Sequence, residues 1–416
     1  MQTQLDPVFQ NTRAGKLAKD ILRKCVHCGF CTATCPTYQL LGDELDSPRG
    51  RIYQIKELFE GKKPNASIVT HLDRCLICRS CETSCPSGVQ YAGLLKVGRE
   101  LIVSARPLHI RAWRSGLRNF LPTPYFAFGL ATARRIRPWL PSFLRVLLPE
   151  ALPAGSWPKT SAHARTVLLH TGCVQPAMLP NLNAATARVL DAAGIGTRVV
   201  SSAGCCGAIK EHLDDHDGTL ARIRRNIDAW WPSIESGEVE AIISNASGCG
   251  LMLKEYAQLM VDDPDYAQKA SKISAMTLDL SEYLQAPDCI AQLKKRLQPG
   301  EQRRLMFHPP CTLQHGQGIK GVVESLLGEL GFEVQLPARE SALCCGSAGT
   351  YSILQPKLAG ELRRRKLEHL QASKADYIVS ANIGCIQHLS SEATLPVRHW
   401  VEVVDAALGC LTGSHQ

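Results

Sequence analysis

The chain has 416 residues, of which 45% are hydrophobic and 18 are cysteine, and its formal net charge is +9. This composition excludes a disordered chain, and the length favours two or three domains with buried cores. No run of eighteen uncharged apolar residues indicates a membrane-spanning helix, and the polar residues 1–20 lack the apolar core of a signal peptide. We therefore expect a cytoplasmic protein whose clustered thiols stay reduced and bind metal.

The first hundred residues contain two cysteine runs of one form, C-x2-C-x2-C-x3-C-P, at 25–36 and 75–86. Apolar residues at helical spacing predict helices around these runs, at 18–25, 49–61 and 93–105. We predict that residues 1–100 form a mostly helical, ferredoxin-like domain that holds two [4Fe–4S] clusters.

The spacing also predicts which thiols share a cluster. Three cysteines in two-residue steps wrap one cluster, whereas the fourth reaches the neighbouring cluster. The predicted ligand sets are Cys25, Cys28, Cys31 and Cys85 for one cluster, and Cys75, Cys78, Cys81 and Cys35 for the other. The alternative is zinc, although zinc sites favour C-x2-C pairs separated by a longer loop. Arg49 and Arg51 follow the first run, either to offset the negative charge of a cluster or as solvated residues at a helix start.

The next segment, 101–164, is basic and aromatic. Its first fifty residues hold eight arginines, no lysine and one acidic residue. Seven aromatic side chains are interleaved with the arginines: Trp113, Phe120, Tyr125, Phe126, Phe128, Trp139 and Phe143. Three roles fit such a segment, namely contact with an anionic membrane surface, contact with a partner protein, or a brace between domains. Nucleic-acid binding is disfavoured because no nucleic-acid-binding fold accompanies the charge.

Residues 165–288 and 303–416 read as two copies of one unit, joined by a linker at 289–302. Each copy begins with an apolar strand before a cysteine, continues through a helix and a second strand to a Cys-Cys-Gly tripeptide, and ends with a strand that leads to another cysteine. Cys173 and Cys311 lie 138 residues apart, Cys205 and Cys344 139, and Cys249 and Cys385 136. Alternating strands and helices predict a parallel α/β layer in each copy, so the fold class of the whole chain is predicted to be α+β.

The cysteines of each copy are candidate metal ligands. They are Cys173, Cys205, Cys206 and Cys249 in the first copy, and Cys311, Cys344, Cys345 and Cys385 in the second. Adjacent cysteines either bridge two metals or divide the roles of ligand and packing residue, and the glycine that follows them allows a tight turn. The alternative is a set of buried, reduced cysteines. His308 and His315, beside Cys311, are expected to tune a site, handle a proton or fill a structural role.

The two copies resemble the cysteine-rich CCG domain of heterodisulfide-reductase-type proteins. The resemblance implies a pattern that ends in C-x2-C and supplies five cysteines to an unusual iron–sulfur cluster or to zinc. Here Met252 replaces the last cysteine of the first copy and His388 that of the second. Each copy therefore keeps four cysteines, with an imidazole added in the second.

Two such cysteine runs followed by two CCG copies resemble, over nearly the whole chain, the iron–sulfur subunits of membrane-associated 2-hydroxyacid dehydrogenases. Residues 25–57 and the stretches NIDAWWP, CCGSAGTY and VRHW are most similar to those of glycolate oxidase iron–sulfur subunits. The alternatives are an iron–sulfur subunit for L-lactate or glycerol-3-phosphate oxidation, a heterodisulfide-reductase-like catalytic subunit, and a structural zinc protein.

The resemblance implies an electron relay. A separate flavoprotein with FAD would oxidise glycolate to glyoxylate, and this chain would pass the electrons to a quinone or another membrane acceptor. The sequence has no G-x-G-x-x-G that opens a strand–turn–helix unit, so we expect neither a dinucleotide nor glycolate to bind here. The expected location is the cytoplasmic face of the inner membrane, with peripheral attachment through 101–150.

Overall fold

The computed structural model of the chain describes residues 1–139, 153, 155–158, 163–298 and 303–409. The chain forms two compact units, one made of residues 1–117 with 342–363 and the other of 118–341 with 364–416. The domain boundaries and linkers predicted from the sequence stay predictions. Much of the predicted linker before 165, together with Phe143, lies outside the described residues.

The first unit is helical. Its N-terminal helices are Pro7–Gln10, Arg13–Lys24, Pro36–Leu41, Pro48–Phe59, Ala66–Asp73, Ser80–Thr83 and Tyr91–Leu101. The three helices predicted around the cysteine runs are therefore confirmed. Hydroxyl and amide side chains fix their starts, since Thr12, Ser47 and Asn65 each accept a hydrogen bond from a backbone N–H of the first turn. Ile21, Ile55 and Leu94 are fully or almost fully buried in the core that these helices share.

Further helices follow the N-terminal part of the chain. They are Leu108–Phe120 and Pro124–Ile136 in the basic segment, and Tyr351–Leu354 and Pro356–Leu370 after the second CCG tripeptide. Within the described residues, none of the helices combines the length and the apolar character that crossing a bilayer requires.

The second unit contains two parallel four-stranded sheets. The first is built from β1 (Arg165–His170), β2 (Ile195–Arg198), β3 (Ile242–Ser244) and β4 (Thr277–Asp279), in the order β2-β1-β3-β4. The second is built from β5 (Arg304–His308), β6 (Glu333–Gln335), β7 (Tyr377–Ser380) and β8 (Val397–His399), in the order β6-β5-β7-β8. The same strand order in both sheets confirms the predicted α/β repeat and the mixed α+β class.

Helices connect and cover the strands. In the first copy they are Gln175–Met178, Asn181–Ala192, Ala208–His212, His216–Glu235, Ser247–Lys254, Tyr256–Leu259, Ala267–Met276, Leu280–Leu284 and Pro287–Arg296. In the second copy they include Val322–Glu329, Ile383–Ser390 and Trp400–Ala407. In both copies the strand-end cysteines lie in loops or helices that follow the carboxyl ends of strands, where parallel α/β sheets place their sites.

The two sheets share one core. Val167 and Leu169 of β1 belong to the same buried cluster as Phe307 of β5 and Trp400. A buried ion pair reinforces this junction, because Arg188 donates to both carboxylate oxygens of Asp405, at 2.8 and 2.6 Å. The two sheets of the second unit therefore pack against one shared core.

Candidate metal centres

The two N-terminal cysteine runs adopt the same loop. In the first run His27 and Gly29 have positive φ angles of 59° and 88°, and in the second Ile77 and Arg79 have angles of 54° and 60°. These residues occupy matching places, directly before and directly after the second cysteine of each run. A β-branched residue such as isoleucine rarely adopts this conformation. Such strain persists where the surroundings require one particular backbone path, so both loops hold the same path around their second cysteine.

The eight thiols line two cavities. One cavity is lined by Cys25, Cys28, Cys31 and Cys85. The other is lined by Cys35, Cys75 and Cys78. Cys81 lines both cavities. Cys85 therefore faces the cavity of the first run and Cys35 that of the second, which is the crossed arrangement expected from the sequence. The donor chemistry of eight thiols fits two cubane clusters, and the ligand assignment itself stays a prediction.

A buried arginine borders the second set. Arg51 is 1% exposed, and its guanidinium donates to the Thr37 hydroxyl at 3.0 Å, to Asp46 at 3.0 Å and to the Cys35 sulfur at 3.9 Å. Burial opposes its charge, but Cys75 and other neighbouring groups that can become negative raise the pKa of Arg51 above its ordinary value. A permanent cation therefore lies beside the thiols of the second set.

Two further side chains hold the second run. The Tyr91 hydroxyl donates to the Cys75 sulfur at 3.6 Å, and burial raises the pKa of this phenol well above its ordinary value, so that it remains a donor. Arg99 donates to the carbonyl oxygens of Leu72 and Cys75, at 2.8 and 2.9 Å. Neither residue was predicted as part of a site, although Arg99 lies within the helix predicted at 93–105 and Tyr91 begins the observed helix.

The first set is closer to solvent. Cys28 is exposed, and Cys31 and Cys85 are partly exposed. Arg49 forms an ion pair with Glu44 at 2.5 Å, and both side chains are more than 30% exposed. Arg51 is therefore buried against thiols, whereas Arg49 is partly exposed, pairs with Glu44 and lines the first cavity.

The four cysteines of the first CCG copy converge. The Cys173 thiol donates to the Cys205 sulfur at 3.2 Å, and hydrogen bonds also join Cys205 to Cys206 and Cys206 to Cys249. The hydrogen bonds that Cys205 accepts lower its pKa, whereas the same bonds raise the pKa values of Cys173 and Cys206. Four linked thiols, one of which has a lowered pKa, form a donor set that suits a thiophilic metal.

Polar side chains brace the backbone of this CCG loop. Asn226 accepts from the Gly204 N–H at 2.9 Å and donates to the Cys205 carbonyl at 3.0 Å. The Tyr256 hydroxyl donates to the Cys206 carbonyl at 2.8 Å. Gly207 follows the pair with a φ of 101°, which confirms the tight turn expected at the tripeptide. Asn226 opens the NIDAWWP stretch, so a signal for it was present in the sequence without an assigned role.

The cysteines of the second CCG copy are all buried, at 8% exposure or less. Cys344 and Cys345 belong to the compact unit that contains the N-terminal cysteine runs, and Cys311 and Cys385 belong to the other unit. Gly346 has a φ of 91°, and a Cβ there would lie 2.6 Å from the Ala359 carbonyl oxygen. Glycine is therefore required at the end of this tripeptide.

The histidines near these cysteines differ in their surroundings. His308, the last residue of β5, is 1% exposed, and neither of its ring nitrogens has a hydrogen-bond partner among the described residues. Burial and the charge of Lys366 hold the pKa of His308 well below its ordinary value, so the imidazole is neutral. His315 and His388 are only partly buried, and both have interaction partners. Met252 packs among the buried residues around Cys206.

Comparison with known families agrees with this organisation. A model of the 4Fe-4S dicluster domain matches residues 21–89, and one of the cysteine-rich CCG domain matches residues 167–254 and again 305–390. The chain is thus an iron–sulfur protein with a dicluster domain followed by two cysteine-rich repeats.

Curated relatives identify the family. The chain is 50% identical to the glycolate oxidase iron-sulfur subunit of Escherichia coli (strain K12), over 98% of this chain and 99% of the relative. It is 29% identical to the probable glycolate oxidase iron-sulfur subunit of Bacillus subtilis (strain 168), over 91% and 90%. It is also 25% identical to lactate utilization protein A of Oceanobacillus iheyensis, over 54% of this chain and 87% of the relative. The chain belongs to the glycolate oxidase iron–sulfur subunits, which confirms the resemblance seen in its motifs and supports a role in electron transfer.

Proposed function

We propose that this chain is the electron relay of a glycolate-oxidising complex. A separate FAD-containing subunit oxidises glycolate to glyoxylate, taking a hydride while a proton leaves for solvent. The two electrons then reach a quinone or another membrane acceptor through this chain. When bound, [4Fe–4S] clusters supply the one-electron steps that connect a two-electron donor to such a carrier. The observation that carries the proposal is the pair of thiol-lined cavities with crossed Cys35 and Cys85.

Each cavity would hold one cluster. Cys25, Cys28, Cys31 and Cys85 are the proposed ligands of the first, and Cys75, Cys78, Cys81 and Cys35 those of the second. The crossed lining of the cavities supports this assignment. Thiols two residues apart on a strained loop also favour a cubane cluster over zinc, which prefers paired cysteines on separate loops.

Glycolate itself binds to the flavoprotein in this proposal. Hydride removal from a 2-hydroxy acid requires a cofactor that accepts two electrons, and the sequence lacks the glycine-rich motif of a dinucleotide site. The extent of identity to a glycolate oxidase subunit favours glycolate over lactate as the substrate of the complex.

Electrons enter through the first cluster set. Cys28 is exposed, whereas three of the four cysteines of the second set are buried. The exposed side chains of Val26 and Phe30 lie in the same loop, at 69% and 64% exposure. A flavoprotein could dock against these apolar side chains. Its flavin would then lie a short electron-transfer distance from the first cluster.

The CCG copies would bind additional metal. The linked thiols of Cys173, Cys205, Cys206 and Cys249 support a centre in the first copy. For the second copy, the repeated sequence pattern proposes Cys311, Cys344, Cys345 and Cys385 as donors. The candidates are a further iron–sulfur cluster and a zinc ion.

The basic aromatic segment would attach the complex peripherally to the cytoplasmic face of the inner membrane. Tyr125, Phe128 and Trp139 are between 73% and 81% exposed, which supports insertion into a lipid interface. Two of its arginines also brace the fold, because Arg118 donates to the Leu213 carbonyl and Arg134 to the carbonyls of Ala177 and Met178.

The test is the metal content of anaerobically purified chain, with EPR spectra of the reduced protein. Two cubane clusters predict about eight iron and eight sulfide, plus any metal of the CCG copies. Cys35→Ser should alter the signal of the second cluster, and Cys85→Ser that of the first. Zinc in place of iron, or a Cys35→Ser change confined to the first cluster, would overturn the assignment.

A further inference from the structure

We infer that His308 is a nitrogen ligand of a thiophilic metal centre in the second CCG copy, beside the thiolate of Cys385. The inference rests on the proposed function, which places a metal in this copy. It goes further by adding an imidazole from a strand end, whereas the sequence pattern pointed to His388.

The His308 imidazole is buried and unsatisfied. A buried polar group without a hydrogen bond costs about 1–3 kcal/mol, and native proteins rarely leave one so. Both ring nitrogens of His308 are buried without a hydrogen-bond partner among the described residues. A bound metal satisfies one of these nitrogens directly and gives a reason for the placement of an imidazole here.

A cysteine sulfur lies next to this imidazole. The Cys385 sulfur lies within 4.8 Å of a ring nitrogen of His308. Ligands that bind a tetrahedral zinc at about 2.0–2.3 Å lie roughly 3.5 Å from each other. The two atoms are therefore at most about 1.3 Å farther apart than two ligands of one zinc ion. The backbone at Cys385 is held in place, because the Asn382 side chain caps the helix on which Cys385 lies.

The matching histidine of the first copy has different surroundings. His170 ends β1 as His308 ends β5, and each lies three residues before the first cysteine of its copy. The His170 Nε2 atom is within 3.1 Å of the Gly204 carbonyl, so this ring is anchored to the CCG loop by a hydrogen bond. His308 has no such anchor among the described residues. The same position is thus structural in one copy and available for a metal in the other.

The imidazole and thiolate together suit zinc, and they also suit an iron–sulfur cluster with one nitrogen ligand. Both are thiophilic centres, and the metal analysis distinguishes them. Loss of zinc alone identifies a zinc ion, whereas joint loss of iron and sulfide identifies a cluster.

The experiment compares His308→Leu, His308→Cys and the matched control His170→Leu in the full chain, purified without oxygen. Zinc, iron and acid-labile sulfide are measured per chain before and after challenge with a chelator. We expect His308→Leu to retain metal at least tenfold less well than the wild type, whereas His308→Cys, which keeps a ligand, and His170→Leu retain it.

Thermal unfolding provides a second readout. If His308 is an ordinary buried residue, His308→Leu removes two unsatisfied nitrogens, raises the melting temperature and leaves the metal content unchanged, and that result overturns the inference. Cys385→Ser separates this failure from failure of the proposed function. Metal loss with Cys385→Ser but not with His308→Leu overturns the role of His308 alone. No metal loss with either variant overturns the metal centre of this copy as well.

Discussion

The Tyr351 hydroxyl donates a hydrogen bond to the carbonyl oxygen of Arg74 at 3.1 Å, across 277 positions of the chain. Arg74 directly precedes Cys75, and Tyr351 follows the second CCG tripeptide. Both residues belong to the same compact unit, so the second CCG loop is fastened to the second cysteine run. Burial, together with the nearby Cys75, raises the pKa of Tyr351, and the phenol therefore stays protonated and able to donate.

Tyr351→Phe should loosen this attachment. Loss of one hydrogen bond removes about 0.5–1.5 kcal/mol of local stability, and a carbonyl beside Cys75 loses its partner. We expect faster amide hydrogen exchange in residues 342–354 and 74–78, with unchanged exchange in β1 and β5. Tyr266→Phe is the control, because its hydroxyl bonds to Asp228 on an exposed surface. Equal exchange in the wild type and Tyr351→Phe would show that the hydrogen bond does not hold the loop.

Arg51→Gln should lower the reduction potential of one cluster. An added electron makes a cluster more negative, and the buried guanidinium next to Cys35 favours that state. We expect the equilibrium constant for reduction of the second cluster to fall at least tenfold, which corresponds to about 59 mV for one electron. The measurement is an EPR-monitored redox titration.

Arg49→Gln is the matched control for that titration. Its guanidinium is paired with Glu44 near solvent, where charge is screened. The potentials of both clusters should therefore shift much less than in Arg51→Gln. Equal shifts in the two variants would contradict the special role assigned to the buried arginine.

Asp405→Asn should destabilise the junction of the two CCG copies. The substitution leaves the buried Arg188 without its carboxylate, and removal of one partner from a buried pair costs about 3–5 kcal/mol. Glu238→Gln breaks the exposed pair with Arg198 and should cost less than about 1 kcal/mol. Thermal melting of both variants checks the comparison, and a melting temperature of Asp405→Asn equal to that of Glu238→Gln would refute it.

The stability of the second unit should fall as the pH drops below 6.5, partly through His399. Burial lowers the pKa of this ring to about 3, whereas the unfolded chain titrates near 6.5. The unfolded state therefore binds more protons between these values, and the contribution of neutral His399 is lost as the pH falls. The ring also accepts a hydrogen bond from the Val401 N–H at 3.2 Å.

His399→Asn keeps a side chain that can cap the following helix but cannot titrate. We expect the melting temperature of this variant to fall less between pH 7.5 and 5.5 than that of the wild type. An identical fall in both proteins would assign the pH dependence to other groups, of which buried His170 and His308 are the first candidates.

Much of the fold was predictable because the chain repeats its own patterns. Apolar runs before Cys173 and Cys311 became β1 and β5, and the constant offsets between cysteines identified two copies with one strand order. The edge strands β4 and β8 were not predicted, because neither leads directly to a cysteine of the repeated pattern. The second strand of the first copy is short, Ile195–Arg198, and its glycine weakens the sequence pattern of a strand.

The candidate ligands were predictable where they lie close together in the sequence. Residues whose role depends on burial were not. The spacing of the N-terminal runs already indicated the crossed sets that line the two cavities. No local pattern distinguishes buried Arg51 from partly exposed Arg49. None distinguishes His308 from His170 either. In both pairs the difference in surroundings arises from the packing of residues distant in the sequence. The attachment of Tyr351 to Arg74 likewise depends on tertiary structure alone.

The central claim, that this chain relays electrons from glycolate, is tested most directly in the intact complex. The complex is purified anaerobically through a tag on this chain, glycolate is added, and EPR spectra are recorded on samples frozen at increasing times. We expect flavin reduction to be followed by signals from both cubane clusters, with the first cluster reduced before the second. Reduced flavin with both clusters still oxidised would contradict the relay.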